Sequence, residues 1–116
     1  MAFDPVEFFR FAHALIQQPS LDEASLRSCV SRAYYSAFLV ARDRAKITNS
    51  GQSVHDLTAR HYVNRPQQAG IGNRLNALRT LRNQADYDLM KTCSRRDAQN
   101  SIAQARKVLL DLGALS

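Results

Sequence analysis

The chain has 116 residues, 45% of them hydrophobic, and a formal net charge of +6. This length fits one domain with its own core, and the apolar content argues against a disordered chain. Arginine supplies 13 of the 16 basic residues, and because arginine binds phosphate and stacks on bases, the charge indicates either an RNA partner or an ordinary solvated surface.

The first two predicted helices begin with sequences that can cap a helix. Asp4 can accept the exposed N–H groups of the first helix, which Pro19 ends. The second helix is predicted to begin at Ser20, with Glu23 at capping-box spacing, and to run to about Thr48. Its core face is predicted from apolar residues at helical spacing, namely Val30, Ala33, Tyr34, Ala37, Phe38, Ala41 and Ala45.

Three further helices are predicted, with short loops between them. The third begins near Ser53 and ends before Pro66, because proline disfavours helical geometry in the residue that precedes it. The fourth covers residues 71–90, and the fifth extends from Ser94 to a glycine cap at Gly113. The fifth has the apolar seam of a packed bundle or of a coiled dimer, formed by Ala98, Ile102, Ala105, Leu109 and Leu112. With no strand pattern, the chain is predicted to be all-α, an up-and-down bundle of about five helices in a single domain over residues 1–116.

Cysteine content and hydropathy predict a reduced, cytoplasmic protein. Cys29 and Cys93 are too few for a disulfide framework, and Cys29 is predicted to be a small core residue. The N-terminal sequence has no basic region followed by a cleavage site, so we expect no secretion signal. No apolar run approaches the roughly 18 residues of a membrane span.

The predicted fourth helix contains the most unusual segment, LRTLRNQADYDL, in which polar residues interrupt the core leucines. Arg82 and Asp86 are four residues apart and can pair on one helix face, which Arg79 shares. Polar side chains beside a buried stripe need hydrogen-bond partners. The segment therefore predicts either an Arg–Asp lock between helices, with Asn83 capping a neighbouring backbone, or a cleft that binds a phosphate or a base.

The predicted second helix contains two adjacent tyrosines, Tyr34 and Tyr35, within SRAYYSAFLVARDRA. Successive residues of a helix point about 100° apart. We therefore expect one tyrosine to pack in the core with its hydroxyl hydrogen-bonded, and the other to face a groove or a second subunit. Arg32 adds positive charge beside them.

The three histidines do not indicate a metal site. His13, His55 and His61 never share a helical turn with another histidine or with a cysteine, whereas a structural zinc needs about four ligands. No Ser–His–Asp motif and no glycine-rich phosphate loop occurs either. We therefore expect no metal and no cofactor, and we expect His55 to cap or pack.

Two segments together resemble the HEPN family of nucleotide- and RNA-associated domains. They are SRAYYSAFLVARD on the second helix and LRTLRNQADYDL on the fourth, where Arg-Asn-x-x-Asp-Tyr matches a family signature. The spacing of the segments, the alanine-rich last helix and the position of His55 fit as well, so the resemblance covers about residues 5–112. It implies a helical bundle that commonly forms homodimers. Family members act in toxin–antitoxin, abortive-infection or CRISPR-linked defence, some as metal-independent endoribonucleases and others paired with a nucleotidyltransferase.

The chain departs from the nuclease members of the family at one point. Those members carry an arginine followed four to six residues later by a histidine, and here no histidine follows His61. Tyr87 lies at that distance from Arg82, but a tyrosine pKa near 10 keeps the hydroxyl protonated at pH 7 and makes it a poor base. The missing histidine argues against RNA cleavage, whereas Arg82 could still bind a phosphate or stabilise developing charge.

Three hypotheses follow, and the first is a homodimeric module that binds a nucleotide or RNA or serves a nucleotidyltransferase. In that case the hydroxyl of Tyr87 is, by analogy, also a target for nucleotide transfer. The binding residues of this hypothesis are Arg79, Arg82, Asn83, Asp86, Tyr87, Arg32 and Tyr35. The second hypothesis is a ribonuclease toxin in which His55 or Tyr87 replaces the missing histidine, which requires His55 to approach Arg82 within a subunit or across a dimer. The third is a structural dimeric partner in which the Arg–Asp–Tyr group is an internal lock.

Overall fold

A computed structural model describes residues 2–116 and contains five α-helices within that range. They are α1 (Val6–Ile16), α2 (Glu23–Arg44), α3 (Ser53–Val63), α4 (Ala69–Tyr87) and α5 (Arg95–Asp111). The described residues include no strand, so the predicted all-α bundle of five helices is confirmed. None of these helices has the length and apolar character needed to cross a membrane.

The long helix α2 lies at the centre of the bundle. It packs against α1, α5 and α4, while α3 packs mainly against α4. Alanines on the buried face of α2, at Ala33, Ala37 and Ala41, are fully buried and let the neighbouring helices approach closely. Cys29 on the same helix is also fully buried, as predicted. This arrangement places the polar residues of α4 against one face of α2.

The helix boundaries differ from the prediction mainly at α2 and at the end of α4. Asp22, not Ser20, caps α2, because its side chain accepts the N–H of Ser25 at 2.8 Å. The helix ends at Arg44 instead of Thr48, and Lys46 then adopts a left-handed backbone with φ 58°. Helix α4 ends at Tyr87, three residues before the predicted end.

Helix α5 is capped at both ends as the sequence predicts. The hydroxyl of Ser94 accepts the N–H of Asp97, and the carboxylate of Asp97 accepts the N–H of Ser94. At the other end, Gly113 has φ 73°, and the N–H groups of Gly113 and Ala114 reach back to carbonyls of the last turn. These bonds satisfy groups that a helix end leaves without partners.

Arginine side chains donate hydrogen bonds to backbone carbonyls at the carboxyl ends of several helices. Arg27 donates to carbonyls at the end of α4, Arg95 to carbonyls at the end of α1, and Arg44 to a carbonyl just after α5. Positive charge is favourable at helix carboxyl ends. Part of the basic composition therefore has a structural use inside the bundle.

The contact between α3 and α4 depends on a glycine. A Cβ atom on Gly72 would lie 2.5 Å from a side-chain carbon of Val63 and 2.6 Å from the carbonyl oxygen of Ala59. These distances are shorter than van der Waals contact, so only glycine permits the two helices to lie this close. The close approach fixes the position of α3 relative to the polar residues of α4.

Candidate functional site

A buried arginine on α4, Arg82, lies among aromatic rings between α2, α3 and α4. Its side chain is 7% exposed. The guanidinium carbon lies 5.4 Å from the ring centroid of Tyr34, 5.2 Å from that of Tyr35 and 5.7 Å from that of Tyr87. These distances are typical of cation–π interaction. We call this group the Arg82 cluster, and its members are Ser31, Tyr34, Tyr35, His55, Arg82, Asp86 and Tyr87.

The hydrogen-bonding capacity of Arg82 is mostly unused. Its Nη1 lies 3.8 Å from Oδ2 of Asp86 and donates weakly to the hydroxyl oxygen of Tyr87 at 3.5 Å, and its Nε has no partner in the described chain. A guanidinium carries five N–H donors. Asp86 is shared with α2, because the hydroxyl of Ser31 donates to the same Oδ2 at 3.2 Å. The predicted Arg82–Asp86 pair therefore exists, but it leaves Arg82 with free donors.

Tyr34 and His55 form the deeper half of the cluster. Tyr34 is 1% exposed, and its hydroxyl is hydrogen-bonded to Nδ1 of His55, which lies on α3. Burial raises the pKa of Tyr34, and burial together with the charges of Arg79 and Arg82 lowers the pKa of His55 to about 4. At neutral pH the tyrosine is thus protonated and the imidazole neutral, and their hydrogen bond occupies Nδ1 of His55.

Arg32 and Arg79 border the cluster on opposite helices. The guanidinium carbon of Arg32 on α2 lies 5.0 Å from the ring centroid of Phe8 and 5.3 Å from that of Tyr35. Arg79 on α4 is half-buried and makes no hydrogen bond or ion pair with any described residue, while its charge acts on His55. Both arginines therefore add uncompensated positive charge beside Arg82.

Asn83 lies outside the Arg82 cluster. It is exposed and forms part of a shallow, open depression with Thr80, Gln84, Tyr87 and Asp88. The backbone-capping role considered for Asn83 is not seen among the described residues. Tyr87 is 72% exposed, lines this depression and also lies beside Arg82.

Sequence reasoning missed Ser31 and undervalued Tyr34. Tyr35 was predicted as the ligand-facing tyrosine and does contact Arg82, but Tyr34 connects Arg82 to His55. A signal was present, because Ser31, Tyr34, Tyr35 and Phe38 recur at the spacing of a single helix face. That face is the one α2 presents to Arg82 and His55.

The described residues contain no group of three or more His, Cys, Asp or Glu that could hold a metal ion. Comparison of the chain with protein-family models, with curated proteins and with solved structures found no match.

Proposed function

We propose that the chain is a HEPN-like helical module that binds a nucleotide or RNA through the Arg82 cluster and does not itself cleave RNA. The supporting observation is the buried guanidinium of Arg82, whose Nε lacks a partner in the described chain and whose nearest carboxylate lies at 3.8 Å. Burying a cation is costly unless its donors are satisfied. A phosphate that enters the cluster would supply the missing acceptors.

The environment of Arg82 suits a phosphate joined to a base. Tyr87 covers the guanidinium but is 72% exposed, so a change of its side-chain rotamer would open Arg82 to a ligand. The ring of Tyr87 could then stack on a base, while Arg79 adds charge from the preceding helical turn. Base stacking next to an arginine is a common way to hold single-stranded nucleic acid.

His55 is poorly placed to be a general base, which favours binding over cleavage. Its Nδ1 is occupied by the hydrogen bond with the hydroxyl of Tyr34. A pKa of about 4 also lies well below the neutral value that efficient proton transfer requires. In the tautomer that carries its proton on Nε2, His55 can instead donate to a phosphate oxygen.

The binding test uses a fluorescein-labelled uridine trinucleotide and fluorescence anisotropy. We expect the wild type to bind and Arg82→Met to weaken binding at least tenfold, about 1.4 kcal/mol, through loss of charged hydrogen bonds. Arg74→Met is the matched control, because Arg74 lies on the same helix outside the cluster, 4.0 Å from Asp111. Equal binding by wild type and Arg82→Met, or no binding by either, would contradict the proposal.

A metal-independent ribonuclease is the second candidate, and one observation favours it. Arg82 and His55 both contact Tyr34, so the two residues that this hypothesis needs lie against one tyrosine ring. The test is incubation of structured RNA with the protein and EDTA. Cleavage that disappears in both Arg82→Met and His55→Gln would replace the binding proposal with this one, and intact RNA supports binding alone.

The predicted homodimer is also part of the proposal. The exposed side of α4 presents a row of uncharged polar residues, Asn73, Asn76, Thr80 and Asn83. Charged residues are depleted at the centre of interfaces, and amides can pair with copies of themselves across a two-fold axis. Light scattering should report a dimer that Thr80→Glu dissociates. The control variant Ala103→Glu, at an exposed position of α5, should leave the dimer intact. A monomeric wild type would contradict this part.

Pairing with a nucleotidyltransferase, in a prokaryotic toxin–antitoxin or other defence system, stays a prediction from the resemblance. The exposure of Tyr87 supports it, because its hydroxyl makes only a 3.5 Å contact with Arg82 and is open to a second enzyme. Mass spectrometry of the protein purified from its natural host would reveal a nucleotide on Tyr87.

A further inference from the structure

Aromatic rings and arginines lie next to one another in a row that continues from the Arg82 cluster, across α2, to the residues around the start of α1. We call this row the stacking ladder, and its members in order are Phe3, Phe8, Arg32, Tyr35, Arg82 and Tyr87. Neighbouring members lie 5.0 to 5.7 Å apart, measured between ring centroids or from a guanidinium carbon to a ring centroid. The ladder thus joins three helices, with exposed members at its two ends and the buried Arg82 within it.

Both ends of the stacking ladder are open to solvent. Phe3 is 49% exposed and Tyr87 is 72% exposed, while Phe8, Arg32 and Tyr35 between them are partly exposed. Exposed rings at two separated points, connected by arginines, provide stacking positions for more than one base. Stacking of this kind tolerates every base, since each has an aromatic face.

The charge along the stacking ladder is free to meet an anion. Arg32 makes one long hydrogen bond among the described residues, to the hydroxyl of Ser31 at 3.5 Å, and none of its described neighbours is an ion-pair partner. Asp86 is shared by Ser31 and Arg82, and the carboxylates at the start of α1 have other partners. Asp4 accepts a backbone N–H at the start of α1 at 3.0 Å, and Glu7 pairs with Arg10 at 2.6 Å. An arginine held between two rings without a carboxylate is suited to contact a phosphate.

We propose that the stacking ladder binds single-stranded nucleic acid over several nucleotides, with bases stacked on Phe3 and Tyr87 and backbone phosphate held by Arg32. The inference rests on the proposed function, because the Arg82 cluster forms one end of the ladder. It extends that function by predicting a strand that crosses α2 and reaches Phe3. A mononucleotide or a trinucleotide would fill only the Tyr87 end.

The test compares a labelled uridine decanucleotide with the uridine trinucleotide by fluorescence anisotropy. We expect Phe3→Ala to weaken decanucleotide binding about tenfold and to leave trinucleotide binding unchanged. The matched control is Phe11→Ala, because Phe11 is 53% exposed on α1 but is not a member of the ladder. Arg32→Gln should weaken decanucleotide binding and reduce its salt dependence by about one phosphate contact.

The outcomes separate the ladder from the Arg82 cluster. If the trinucleotide binds in an Arg82-dependent way but Phe3→Ala and Phe11→Ala both bind the decanucleotide like the wild type, the ladder is wrong and the proposed function stands. Equal weakening by both phenylalanine variants would also overturn the ladder. Binding of neither oligonucleotide would overturn both proposals. A thymidine decanucleotide tests whether the ladder prefers RNA. Tighter binding of the uridine decanucleotide would indicate contacts to the 2′-hydroxyls of RNA, and equal binding would mean that the ladder accepts either nucleic acid.

Discussion

Two arginines connect α2 to α4, and they are satisfied in opposite ways. Arg27 on α2 donates to the carbonyl oxygens of Ala85, Asp88 and Lys91 at 2.8, 3.1 and 2.6 Å, and its Nε and Nη2 both donate to Oε2 of Glu23. Arg82 on α4 is more deeply buried, yet its shortest polar contact is 3.5 Å. The protein thus supplies acceptors for the donors of Arg27 but leaves donors of Arg82 free.

The comparison separates a structural arginine from the one that we propose to bind a ligand. Folding alone explains Arg27, because it supplies donors to carbonyls that the end of α4 leaves without partners. Folding alone explains Arg82 less well, because a buried cation with unused donors lowers stability. The unused donors and the surrounding tyrosines are explained if a ligand completes the site.

The largest stability effect is expected at the saturated arginine. Arg27→Ala should lower the free energy of unfolding by about 3 kcal/mol, because several charged hydrogen bonds at the end of α4 are lost together. Urea denaturation measures the change. Arg10→Ala is the control, since the Arg10–Glu7 pair is exposed and surface pairs contribute little. A loss at Arg27 no greater than that at Arg10 would break the comparison.

The next-largest loss of stability is expected from a substitution at Gly72, which is remote from both arginines. The same substitution should also disturb the Arg82 cluster. Gly72→Ala should cost about 2–3 kcal/mol, because the new methyl group overlaps Ala59 and Val63 and forces α3 away from α4. Since α3 carries His55, oligonucleotide binding should also weaken. The control is Gly70→Ala, where the added carbon meets only the flexible end of Arg74 at 3.1 Å. Gly70→Ala should be neutral or slightly stabilising, and equal urea midpoints for the two variants would contradict this account.

The fold could be predicted from sequence further than the site could. Helix caps such as Ser94 with Asp97, and the periodic apolar residues, are local signals, and they gave five helices in the right order. The early end of α2 depends on the left-handed backbone of Lys46. No capping residue in the sequence predicts that the helix ends there.

The Arg82 cluster brings together three helices, and its key facts are long-range. The Arg82–Asp86 pair is visible as an i, i+4 spacing. The hydrogen bond between Tyr34 and His55 joins residues on different helices, so no spacing within either helix predicts it. Whether the donors of Arg82 have partners depends on which residues of the other helices surround it, and a single sequence does not give these contacts.

His55 should make the stability of the Arg82 cluster depend on pH. Its folded-state pKa of about 4 lies below the ordinary value of 6.5, so the unfolded chain binds the proton first. The stabilisation is complete above about pH 6.5 and is lost as the pH falls from there towards 4, with a total on the order of 2 kcal/mol because solvent screening of this partly exposed group reduces the effect of the shift.

The measurement is urea denaturation across that pH range, read as the difference between wild type and variant. His55→Gln should lose less stability on acidification, because its amide can accept from Tyr34 without titrating. His13→Gln leaves His55 in place and should lose as much stability as the wild type. Parallel curves for wild type and His55→Gln would show that His55 is not buried as a neutral base.

The smallest stability effect is expected at Arg82, the arginine with free donors. The size of this effect decides whether the Arg82 cluster is a binding site or an internal lock between helices. Arg82→Met should change the free energy of unfolding by less than about 1 kcal/mol, because methionine packs well against aromatic rings and removes the cost of a buried, partly unsatisfied cation. Urea denaturation of Arg82→Met beside Arg27→Ala gives the comparison directly. A loss at Arg82 as large as that at Arg27, with oligonucleotide binding unchanged, would mean that Arg82 locks α4 to α2 and that the cluster is structural. A small loss together with weakened binding means that the bundle tolerates this costly cation because a phosphate ligand completes its hydrogen bonds.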